Sequence, residues 1–270
     1  MQNVPILLEP TTTKLTTAAR GAVVVSGSHG GRYPGYSVAK TGVRAVVLND
    51  AGVGKDAAGI GSLPYLDELG IAAATVSHLS CRIGDAQDMM ARGVISHANA
   101  AARAAGVRPA QPCREAAMLL QGAPHVEATP PALGESRSEL VLPGALRRIV
   151  LIDSAALVQP QDAGQIVVTG SHGGLVGGNP KMALQVAGFA GIYNDAGGGI
   201  DGAGLTRLPA LDGFGIAGVT VSADSARIGE ARSTLDDGVV SHANQRAVAL
   251  GARAGEPLAA LLARWASAAF

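Results

Sequence analysis

The sequence predicts an α/β protein built from tandem duplicated βαβαβα units, their strands forming one or two mostly parallel, doubly wound sheets with pseudo-two-fold symmetry. Three observations predict it. A set of polar motifs recurs in the same order at an offset of about 144 residues. Short continuous apolar runs stand before those motifs, as in parallel strands covered on both faces. Segments with leucines at helical spacing, each closed by glycine, lie between the runs.

The repeat is read directly from the letters. GSHGG occurs at Gly27–Gly31 and Gly170–Gly174, NDAG at Asn49–Gly52 and Asn194–Gly197, and TVS at Thr75–Ser77 and Thr220–Ser222. Arg-Ile-Gly recurs at Arg82 and Arg227, and SHAN at Ser96–Asn99 and Ser241–Asn244. Residues 1–125 and 145–270 are therefore taken as two α/β repeats. The Pro-, Ser- and Gly-containing stretch 126–144 is taken as the linker between them.

In the first repeat the runs from Ala22, Val43 and Ile71 predict three buried strands. Ile166–Thr169, Phe189–Tyr193 and Ile216–Val221 are their counterparts, and Ile6–Leu8 and Val150–Ile152 add a fourth to each. Ile60, Leu63, Leu66 and Leu69 before Gly70 predict a short helix, as do Leu205, Leu208, Leu211 and Phe214 before Gly215. Asp85–Arg92 and Ala98–Ala105 have helical composition, and in SHAN Ser96 and Ser241 are expected as N-caps. Strands alternating with helices require crossovers and hence a parallel sheet.

Composition narrows the function. Lys plus Arg equals Asp plus Glu at 21 each, so no net field gathers phosphate backbones or an anionic membrane. With aromatics at 3% there is little for bases to stack on. Nucleic acid and membrane are therefore not expected as partners, while a small-molecule substrate is; a homo-oligomer is compatible with the sequence. The start of the chain lacks a basic, then apolar leader pattern, and a cytoplasmic protein is expected. No Walker-type loop or dinucleotide fingerprint occurs, so no nucleotide cofactor is indicated.

The strand-end motifs supply the candidate chemistry. His29 and His172 are expected at the carboxyl ends of central strands, where open α/β sheets bind ligands. Amides of Gly30, Gly31, Gly173 and Gly174 can cradle an anion while the imidazole transfers a proton. The alternative for this motif is a tight turn with the histidine bonded to the main chain. Asp50 and Asp195, with Asn49 and Asn194 before them, are expected at the next strand ends as orienting carboxylates and substrate contacts, or as helix caps and Asx-turns. Arg82 and Arg227, preceded by Ser80 and Ser225, offer a fork for a substrate carboxylate, or pairs for loop aspartates such as Asp56 and Asp201.

His97 and His242 of SHAN can join the first set. With His29 and Asp50, His97 would give two imidazoles and a carboxylate for a divalent metal, although the spacing carries no metal signature. Cys81 and Cys113 read as buried, reduced thiols. A strand ending in His-Gly resembles caspase-like peptidases, in which the next strand presents a nucleophilic cysteine. Here that strand ends in Asn49-Asp50, so the resemblance brings no nucleophile. The expectation is a small-molecule hydrolase or lyase acting at a carbonyl, C–N or C–O centre through strand-end His and Asp. The alternative is a non-catalytic module that binds a small anion or serves assembly.

Overall fold

A computed structural model describes residues 4–269; residues 1–3 of the expected first repeat and residue 270 of the second lie outside the described residues. The chain runs through β1 (Ile6–Glu9), β2 (Val23–His29), α1 (Arg32–Thr41), β3 (Ala45–Asn49), α2 (Ser62–Glu68), β4 (Ala72–Val76), α3 (Ala86–Arg92), β5 (Ile95–Ala98), α4 (Ala100–Ala104) and α5 (Cys113–Leu120). It continues through β6 (Arg137–Leu140), β7 (Ile149–Ile152), β8 (Ile166–His172), β9 (Ala190–Asn194), α6 (Arg207–Gly213), β10 (Ala217–Val221), α7 (Ala231–Asp237), β11 (Val240–Ala243), α8 (Gln245–Ala249) and α9 (Leu258–Ser267). These strands make two mixed sheets of five and six strands, ordered β1-β2-β3-β4-β5 and β11-β10-β9-β8-β7-β6.

Within each sheet the central strands are parallel. Strands β1 to β4 and β7 to β10 run one way, while β5, β6 and β11 pair antiparallel at the edges. Sequential parallel strands joined by crossovers of one hand put those crossovers on one face. In the first half α1 and α2 cover that face, through Val38, Leu63 and Leu66 packed on Val24 and Val46. The opposite face is covered by α3, α4 and α5, whose Met89, Ala102 and Leu120 pack with Val23, Val25 and Val47. The alternation of Val23, Val24 and Val25 between the two clusters is the two-residue period of a strand buried on both sides. The second half repeats this, with Trp265 fully buried on the α7–α9 face.

One local expectation is corrected, and two local features add to the sequence reading. SHAN does not open a helix with its serine: Ser96, His97, Ser241 and His242 lie in the antiparallel strands β5 and β11, and Asn99 and Asn244 are the N-caps. The cause is visible in the bonds, since each asparagine Oδ1 takes the N–H of Ala102 or Ala247, while Ser96 and Ser241 face Thr75 and Thr220 at 3.0 Å. The crossover after β2 is helix α1, whereas its counterpart after β8 is a pair of short 3-10 turns around Gly177, Gly178 and Pro180, residues that break a helix. Segment 126–144 is built into both halves: Val126, Ala128 and Leu133 pack on the first core, and β6 adds an edge to the second sheet.

The halves meet through the loops that follow β3 and β9. Lys55 N–H donates to the Ala223 carbonyl and Ile200 N–H to the His78 carbonyl, both at 2.9 Å. Because Lys55 corresponds to Ile200 and His78 to Ala223, the two bonds are images of one another, as a pseudo-dyad requires. Gly52 and Gly197 touch at the axis, where a Cβ on either would stand about 3 Å from the other's α-carbon. Ala51, Ile83, Ala196, Ala203 and Ile228 form a small apolar cluster between the halves. Ala51 and Ala196 hold φ of 49° and 51°, a left-handed conformation costing on the order of 1 kcal/mol each outside glycine.

Candidate functional site

The two repeats bring His29 and His172 to one place. Each ends a central strand, and both line a cavity of about 100 Å³ between the halves, several times the space one water needs by that measure. A neighbouring cavity of about 290 Å³ shares His29, Tyr33, Glu135, Asp153 and Gly229 with the first. Each imidazole is closed by the other half. Gly229 lies against His29 and Gly84 against His172, and both glycines have positive φ.

Burial holds both rings neutral. It lowers the pKa of His29 to about 4. His172 is also held well below the ordinary histidine value, first by burial, then by the Arg207 charge and by the neighbouring His29 ring. Gly31 N–H donates to His29 Nδ1 at 3.1 Å, which fixes the neutral ring with its proton on Nε2. Gly174 stands against His172 Nδ1 as Gly31 does against that of His29.

Ser28 and Ser171 of the same GSHGG motifs also line the cavity, and its charged side chains come from segments outside the repeated motifs. Glu135, from the stretch between the repeats, has its pKa pushed up to about 7 by burial and then by Asp153, with hydrogen bonds from Tyr33 and Ser154 pulling it back. Asp153, at the end of β7, accepts Ser136 N–H at 2.7 Å and Ala231 N–H at 3.0 Å. Arg207, at the start of α6, lines the cavity from the second half and is 3% exposed. Its place in the first half is held by Ser62: Arg207 N–H bonds the Gly173 carbonyl as Ser62 N–H bonds that of Gly30.

Arg227, with Asp56, lines the neighbouring cavity beside His29 and Glu135, and the remaining sequence candidates serve turns, caps and the contact between the halves. Three of the four amides of the expected cradle are engaged, Gly30 and Gly173 donating to the carbonyls of Asn49 and Asn194 and Gly31 to His29. Asn49 and Asn194 are fully buried and close Asx-turns on Ala51 and Ala196. Ser80 and Ser225 bond the Ser77 and Ser222 carbonyls and receive Val94 and Val239 N–H. Arg82 reaches Asp201 at 2.8 Å and Arg227 reaches Asp56 at 2.9 Å, each across the interface, so these arginines are engaged in ion pairs between the halves.

Asp50 and Asp195 sit at strand ends as expected, but they turn toward the loops after β4 and β10. Asp50 accepts the His78 and Gly52 amides and faces His78 Nδ1 at 2.9 Å; Asp195 accepts the Gly197 and Ala223 amides. Burial alone would raise the Asp50 pKa, but the His78 bonds outweigh it and hold the carboxyl low. His97 lies on β5, paired with Thr75 of β4, and β5 is three strands from β2, roughly 14 Å away at normal strand spacing. The proposed union of His29, Asp50 and His97 is therefore not formed, and no cluster of three or more His, Cys, Asp or Glu suited to a metal occurs among the described residues. Cys81 and Cys113 are buried thiols whose pKa burial raises to about 12.

Set against known protein families, curated proteins and solved structures, the chain has no match. Among the described residues no helix is long and apolar enough to cross a membrane.

Proposed function

We infer that the protein is a small-molecule enzyme, a hydrolase or lyase acting at a carbonyl, C–N or C–O centre, with its active site in the cavity between the halves. The observation that carries this reading is the convergence there of His29, His172 and Glu135, the last with a pKa of about 7. A carboxyl poised near neutrality gives and takes protons with little driving force wasted, and such shifts concentrate at functional sites. Glu135 is the proton-transfer group: as a base it takes the proton from water or from a carbon beside a carbonyl. His29 is a neutral donor, its Nε2–H stabilising charge that develops on a substrate oxygen. His172 lines the same space.

The test begins with pools of small amides, esters and hydroxy acids, followed by NMR for consumption. On a compound that is consumed, His29→Ala, His172→Ala and Glu135→Gln should each lose turnover by roughly 100-fold or more while remaining folded. A folded His29→Ala or Glu135→Gln protein with full turnover removes that residue from the mechanism. Ligands that bind and are recovered unchanged favour the alternative, a non-catalytic module for small anions.

A further inference from the structure

Among the described residues Arg207 is a cation with no anion paired to it. It is buried, and none of the ion pairs among the described residues includes it. Nε donates to the His172 and Gly174 carbonyls at 3.2 and 3.1 Å, and Nη1 to those of Ala183 at 2.6 Å and Met182. The guanidinium lies over the Tyr193 ring at 4.8 Å, and the Tyr193 hydroxyl is a further hydrogen-bond partner, neutral like the carbonyls. A guanidinium has five N–H donors, and these carbonyls engage Nε and Nη1 but not Nη2.

Carbonyls satisfy hydrogen bonds without cancelling charge, and a buried charge left unpaired is costly. The carboxylates that share the cavity do not supply the counter-charge. Asp153 is held by the amides of Ser136 and Ala231, and Glu135 interacts with Tyr33 and Ser154. Lys14, at the same cavity, adds to the positive side. The first half has Ser62 at the equivalent position, where helix α1 replaces the 3-10 turns whose Met182 and Ala183 carbonyls Arg207 bonds; those carbonyls account for its donors and leave its charge unpaired.

We propose that Arg207 anchors the carboxylate of a small substrate in the cavity between the halves, holding the rest of the molecule among His29, His172 and Glu135. A guanidinium matches a carboxylate through charge-assisted bonds, and the cavity suits a ligand of a few heavy atoms. The assignment moves the role of carboxylate anchor from the repeated Arg82 and Arg227 to an arginine present in one half only. It rests on the cavity being a ligand site, and not on any turnover there.

The experiment titrates the intact protein with sodium acetate, acetamide or inorganic phosphate at constant ionic strength, following arginine Nε–H and histidine ring signals by NMR. Acetate should shift the Arg207 and His172 signals saturably, acetamide should not, and Arg207→Lys should weaken acetate binding by roughly tenfold. Equal responses to acetate and acetamide, or no saturable response at Arg207, overturn the proposal. So does a folded Arg207→Lys protein that binds acetate as tightly as the natural chain, and tighter binding of phosphate overturns the choice of carboxylate. If Arg207→Lys does not fold, the acetate and acetamide comparison on the natural chain decides. Acetate binding without turnover of any screened compound would keep the anchor and remove the enzyme; turnover of an uncharged substrate without acetate binding would do the reverse.

Discussion

Gly229 stands against the ring of His29 from the opposite half of the molecule: a Cβ on this glycine would lie 3.4 Å from His29 Cε1. Gly84 holds the matching position against His172, at 3.6 Å. The glycine of each Arg-Ile-Gly motif thus closes the histidine of the other repeat, and neither imidazole is enclosed by its own half alone. Duplication here makes a cavity at the contact between copies.

The two glycines should respond unequally to alanine. Gly229 has φ of +90° and ordinary contact with His29, so Gly229→Ala should cost about 1–2 kcal/mol through backbone strain. Gly84→Ala adds to a φ of +82° a Cβ only 2.4 Å from the Leu175 carbonyl oxygen and should lose more. Urea unfolding of both variants checks the order. Equal, small losses would mean that the halves are less closely fitted than described.

Glu135 should make stability fall as pH rises. Its folded pKa of about 7 lies above the ordinary 4.5, so between those values the folded state holds a proton that the unfolded state has released. Folding then weakens progressively across that window, with the full penalty present above about pH 7. Glu135→Gln should remove this component and gain on the natural chain from pH 5 to 8, as measured by urea unfolding at each pH. Parallel pH profiles would contradict the raised pKa.

Arg82→Ala and Arg227→Ala should cost only about 0–1 kcal/mol each, because their pairs with Asp201 and Asp56 are partly exposed. Turnover of an identified substrate should stay within a few-fold of the natural protein. A large rise in KM with unchanged stability would restore them as substrate contacts.

Asp50→Ala and Asp195→Ala should act on folding. Each carboxylate receives two main-chain N–H groups that the variant leaves buried, a loss of about 1–3 kcal/mol per orphaned donor. Thermal melts would register this. His78→Ala should be milder, since the second half carries Ala223 at that place and keeps the same turn.

His29 and His172 were legible because they combine repetition, flanking glycines and a strand end, and strand-end position follows from apolar patterning. Repetition equally marked Asn49, Ser80 and Arg82, whose conserved geometry between copies turns out to serve turns and the interface. It could not mark Arg207, which faces Ser62 in the other copy, or Glu135, which lies in a stretch with no periodicity at all. Asp153 gave a signal of the right kind, an acid directly after the apolar run Ile149–Ile152. The serine of SHAN misled because Asn99 and Asn244 are equally good caps, and the strand pairing of residues 95–98 depends on β4, which local propensity does not contain.

The enclosure of the two histidines is tested most directly by a histidine-ring NMR titration of the intact chain. His29 should remain neutral down to about pH 4, with His172 also titrating well below 6.5, because protonation would bury a charge in the cavity. Ordinary midpoints near 6.5 for both rings would show them open to water and would contradict a closed site between the halves.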